Sequence, residues 1–233
     1  METNLRDSLD EARRAFKSKE YAVALDKYNY FFDHALDHDP SALYGVRLSY
    51  CLDEWAKLGE EFPEAKVSLE RKKEQALELL KETKEPERFH DYIAICKYLN
   101  CSEQAITKFI ELHELDKNLA KVIVRFIWNQ LMDKELWHIC IIYLDDYLKK
   151  YESCLIKFDQ AMGICKSDES LGGVKFESQI KGWYVRDITN ILLVFKNCDK
   201  QSKFNEILKL VEKDTVSRGY PELKREVFQS VDL

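Results

Sequence analysis

The chain has 233 residues, 45% hydrophobic and 33% charged, with only seven glycines and four prolines. That composition supplies a continuous core without the frequent turn residues that strand architectures need, and the formal charge of −6, with a pI near 5.5, repels a phosphate backbone, so nucleic acid is not expected as a partner. Apolar runs such as Ile139 to Leu144 and Ile191 to Phe195 fall short of the roughly 20 residues a membrane-spanning helix needs, so no membrane partner is expected either.

In chain order, Leu5, Leu9, Ala12 and Phe16 recur at helical spacing and predict a helix over 5–17, with Ser8 and Glu11 as a capping pair. A turn at Ser18-Lys19-Glu20 leads to the apolar stripe Tyr21, Ala24, Leu25, Tyr28, Phe31, Phe32, Ala35 and Leu36, a second helix that closes at Asp39-Pro40. Further helices are predicted over about 41–59, 87–99 and 117–131, opened by Asp39-Pro40, Glu85-Pro86 and Asp116. Each has a following partner, at Phe62/Ala65/Leu69/Ala76, at Ser102/Ala105/Phe109 and more weakly at Leu136/Ile139/Tyr143, which makes four hairpins through residue 149. Helices at 151–165, 174–197, 200–214 and after Tyr220-Pro221 complete the chain, with Lys166 to Gly173 as its most loop-like segment and a candidate hinge.

The string Tyr21-x-x-Ala24-x-x-x-Tyr28, with Ala35 and the closing Asp39-Pro40, resembles the second half of a tetratricopeptide repeat, whose small alanine permits close helix crossing. Ala35 and Pro40 lie four residues later than in that family, and the steps from Ala24 to Ala65, Ala105 and Ile139 are 41, 40 and 34 residues, so the array is irregular. The resemblance implies an all-α, right-handed α-α superhelix of antiparallel helical hairpins, a solenoid of about 11–12 helices. Residues 1–149 would form the hairpin array and 150–233 the C-terminal hairpins and capping helix. Tyr44-Gly-Val-Arg-Leu-Ser-Tyr50, with Trp55 and Phe62-Pro63, is similar to uncharacterised bacterial tetratricopeptide-like proteins, which implies a bacterial cytoplasmic origin and brings no activity with it.

No residue pattern points to catalysis or to a cofactor. The seven cysteines, Cys51, Cys96, Cys101, Cys140, Cys154, Cys165 and Cys198, never take the two-residue spacing of paired metal ligands and read as reduced thiols of a cytoplasmic protein. The N-terminus, Met-Glu-Thr-Asn-Leu-Arg-Asp, lacks the basic start and apolar stretch of a secretory signal. His138 beside Cys140 lacks an orienting group, Asp145-Asp146 belongs to a solvated helix end, and Gly172-Gly173 has no phosphate-cradling context. His34 and His38, at i and i+4 among Asp37 and Asp39, could share a metal, but no third ligand is apparent.

Arg47, Arg125 and Arg186 each stand in a largely apolar helix. Arg47 and Arg125 fall on first helices of hairpins, which in such an array line the concave face, where a guanidinium can grip a partner's carboxylate in forked fashion. The ordinary alternative is that each arginine pairs with a carboxylate of its own chain or covers apolar surface with its stem. The expected function is thus a non-catalytic scaffold that binds another protein or peptide through Arg47, Tyr50 and Arg125, with no cofactor. The other readings are a metal-binding or catalytic protein using His34 and His38, or a self-associating homodimer.

Overall fold

A computed structural model describes residues 5–167 and 173–232, the side chains of Arg6, His38 and Pro40 excepted. Every regular element among them is helical, with no strand, and no helix is long and apolar enough to cross a membrane. The chain divides into two compact units, Met1–Ile127 and Trp128–Leu233.

The first unit begins with α1 (Leu5–Lys17) and α2 (Tyr21–His38). Ala12 and Ala24 are fully buried in the core cluster that Leu5, Leu9, Tyr28 and Phe31 complete, so small side chains let the two helices pack closely. Ser8 and Glu11 do not form the expected N-terminal cap. Both turn to α2, where Ser8 Oγ donates to the Lys27 carbonyl (3.4 Å) and Glu11 pairs with the Lys27 ammonium (2.5 Å).

The helix predicted over 41–59 is interrupted: α3 (Pro40–Val46) passes through a π-helical turn at Arg47–Cys51 into α4 (Leu52–Glu61). The sequence pattern explains the interruption. Leu43, Arg47, Cys51 and Trp55 are all buried at steps of four, and an ideal α-helix would rotate such a stripe by about 40° per step, or about 120° from first to last. The wider π turn absorbs one extra residue, about 100°, and keeps the stripe facing inward. Trp55 closes this core, fully buried, edge-on to Phe32 (6.1 Å between centroids) and donating from Nε1 to the Ala65 carbonyl (3.1 Å).

The unit continues with α5 (Pro63–Thr83), α6 (Pro86–Tyr98), α7 (Ser102–Leu115) and α8 (Lys117–Asp133), the last crossing into the second unit. Proline occupies the first turn of α5 and α6, where its missing N–H has no intrahelical partner to lose, and Asp116 caps α8 by accepting from the Leu119 N–H (3.0 Å).

In the second unit α9 (Trp137–Cys140) is one turn long and runs into a 3-10 turn at Ile141–Tyr143, so the fourth hairpin lacks a full second helix. The run of isoleucines is a weak helix former, and Asp146 accepts from the Lys149 N–H (3.3 Å), starting α10 (Tyr147–Ser167) earlier than expected. Residues 137–149, which sequence grouped with the N-terminal array, pack here: Cys198 Sγ lies 3.5 Å from the Trp137 carbonyl and Tyr147 meets Phe195 edge-on (5.2 Å). Then come α11 (Gly173–Asn197), α12 (Gln201–Ser217) and α13 (Pro221–Gln229). Phe158 of α10 is wedged between Tyr184 and Tyr220 (5.1 and 5.5 Å), and Arg218 forks onto Asp159 (3.0 and 3.1 Å). Of the expected hinge at 166–173, residues 168–172 lie outside the described residues.

Candidate functional site

The π turn delivers Arg47 into the interior of the first unit, only 3% exposed. Its guanidinium takes Asp91 of α6 in a fork, Nη1 to Oδ1 at 2.5 Å and Nη2 to Oδ2 at 2.9 Å. Nε donates to the Phe32 carbonyl (2.7 Å), and Cζ lies 3.8 Å from the centre of the Phe32 ring. All three guanidinium nitrogens are thereby engaged within the fold, the arrangement that justifies burying two charges. Arg47 therefore does not present its fork to solvent, and the carboxylate it grips belongs to its own chain.

Glu87, His90 and Asp91 share one face of α6 by their i, i+3 and i, i+4 spacing. Glu87 bonds Arg125 of α8 (3.0 Å), a pair exposed on both sides, so the two expected arginines meet the same helix one turn apart. Between these pairs the imidazole of His90 lies flat against Phe126 of α8, 4.5 Å away and 14° from parallel, and its Nδ1 is 2.8 Å from the Tyr44 hydroxyl of α3. The Arg125 guanidinium lies 4.6 Å from the centre of the Phe126 ring. Tyr44, His90, Phe126 and Arg125 thus form one band across α3, α6 and α8, half-buried at its aromatic members and exposed at its cation.

Burial holds His90 below its usual range against the opposing pull of Asp91, while burial, reinforced by Asp91, holds the Tyr44 hydroxyl above its own. A neutral imidazole and a protonated phenol suit a bond in which Tyr44 donates to Nδ1 and Nε2 carries the ring proton. Neither partner is a charged nucleophile. The chemistry on offer is an aromatic platform with an adjoining guanidinium, which suits an apolar or aromatic group beside a carboxylate.

The third expected binding residue, Tyr50, is 63% exposed on the π turn and takes no part in these pairings. Arg186 lies against the neighbouring Asp187 (3.4 Å), so all three arginines have a carboxylate of their own chain. His34 is bonded to Asp37 (3.1 Å) beside the Tyr30 ring, while the His38 side chain lies outside the described residues. Among the described residues no three His, Cys, Asp or Glu side chains are grouped to hold a metal ion.

Asp91, His90, Phe126 and Glu87 escaped the sequence reading. A signal for Asp91 was present: it is the one charged residue between Phe89 and Cys96, a charge inside an apolar stretch of helix like the one that singled out Arg47. Comparison with known proteins finds no match to this chain among family models, curated proteins or solved structures.

Proposed function

We propose that the protein is a non-catalytic interaction scaffold of tetratricopeptide-like design whose band across α3, α6 and α8 receives a peptide or partner helix. The observation that carries this reading is the joining of Tyr44, His90, Phe126 and Arg125 across three helices, with aromatic faces half-buried and the cation at the surface. Rigid aromatics and arginine are the residue types that anchor partners most effectively. Arg125 takes the carboxylate-binding role, exchanging the exposed Glu87 for an acidic group of the ligand, since exposed pairs contribute little and are readily replaced. Arg47 acts through Asp91 as a positioning residue that holds α6 against the π turn. Tyr50 extends the contact surface as an exposed phenol.

The test is selection from a random peptide library, followed by affinity measurement on wild type and Arg125→Ala. Selected peptides should carry an acidic residue near an aromatic or apolar one, and Arg125→Ala should weaken them about tenfold, as loss of one charge-assisted contact predicts. Recovery of no peptide, or equal affinity for the variant, would refute the proposal.

A further inference from the structure

Helix α6 ends in a Schellman turn. Asn100 adopts the left-handed conformation (φ 56°), the Cys101 N–H donates to the Cys96 carbonyl (2.8 Å), and the Asn100 N–H donates to the Lys97 carbonyl (3.2 Å). In this turn the side chains third from the helix end and second beyond it come into contact, a place apolar pairs usually fill. Here both are cysteines, and both are free thiols.

From this geometry we infer that Cys96 and Cys101 form a reversible disulfide, a redox modification site closed across the α6–α7 corner.

The 2.8 Å hydrogen bond, with standard bond lengths, limits the separation of the two Cα atoms to about 6.7 Å, inside the range that a disulfide spans. Burial, with the neighbouring Cys101 thiol next, pushes the Cys96 thiol up to about 12, which makes it a poor first nucleophile. Cys101 is half-buried and reaches solvent, whereas Cys96 is fully covered. The order of events follows. With hydrogen peroxide as oxidant, the Cys101 thiolate attacks one oxygen, the O–O bond breaks, and the departing hydroxide takes a proton to become water, leaving a sulfenic acid. The Cys96 sulfur then attacks the Cys101 sulfur, the S–O bond breaks, and the hydroxyl leaves with the Cys96 proton as a second water. Two thiols and one peroxide become one disulfide and two waters, and a dithiol reductant reverses the change.

Lys97 lies between the two cysteines, so trypsin separates them onto fragments 89–97 and 98–108. Full-length protein is treated with peroxide under native conditions, its free thiols are alkylated, and the tryptic digest is analysed by mass spectrometry before and after reduction. The expected result is a linked 89–97/98–108 pair that splits on reduction, absent in Cys101→Ser, from protein whose helical circular dichroism is unchanged. Recovery of alkylated Cys96 with Cys101 over-oxidised, pairing of either cysteine elsewhere, or linkage only in protein that has lost its helical spectrum would each overturn the inference.

Discussion

Asp91→Ala tests the buried pair that holds α6 to the π turn. The substitution leaves the Arg47 guanidinium, 3% exposed, with the Phe32 carbonyl as its main remaining acceptor. Removing one member of a buried ion pair costs about 3–5 kcal/mol, because the other charge is left desolvated and unmatched. Arg47→Met should cost somewhat less, about 2–4 kcal/mol, since Arg88 stands 3.8 Å from Asp91 and partly replaces the lost cation. Arg47→Met/Asp91→Leu removes both charges and should fall only about 1–2 kcal/mol below wild type, most of it from the Phe32 carbonyl losing its donor. Urea unfolding followed by circular dichroism gives each value by linear extrapolation, and the double-mutant cycle, closed with the single variant Asp91→Leu, should return a coupling of about 3 kcal/mol or more. An Asp91→Ala cost below about 1 kcal/mol, the figure for an exposed pair, or additive single and double losses, would refute the claim that the pair is desolvated and coupled.

Because His90 is held below its usual range, the unfolded chain binds more protons than the folded one just below pH 6.5. Stability should therefore fall as pH drops through about 6.5 and level off below the folded value; His90→Gln should flatten that decline in urea midpoints taken from pH 5 to 7.5, and parallel wild-type and variant curves would contradict it. Trp55→Ala empties a fully buried site and breaks the bond to the Ala65 carbonyl, and should cost about 3–5 kcal/mol in the same assay. At Gly182, within α11, an added Cβ would meet no atom within 4 Å, so Gly182→Ala should stabilise the second unit by about 0.5–1 kcal/mol, and a lowered melting temperature would show that the position is not open.

Period and punctuation alone determined where most of the helices lie. The predicted spans at 5–17, 87–99, 117–131 and 174–197 meet α1, α6, α8 and α11 within two residues, because a buried stripe at helical spacing and a proline in the first turn act locally. What they could not show is where an inward charge finds its partner. Arg47 and Asp91 are 44 residues apart, and the choice between an internal carboxylate and a ligand's is made only when α6 packs beside the π turn. The same holds for Ser8 and Glu11, whose spacing reads as a cap but whose side chains are drawn to Lys27 on the adjoining helix. The π turn is an intermediate case: the four-residue stripe from Leu43 to Trp55 is written in the sequence, yet only a core that buries all four residues makes widening the helix better than letting the stripe rotate to solvent. The band of Tyr44, His90, Phe126 and Arg125 is tertiary throughout, since contacts between helices depend on their packing angles, and a one-dimensional period carries no record of those.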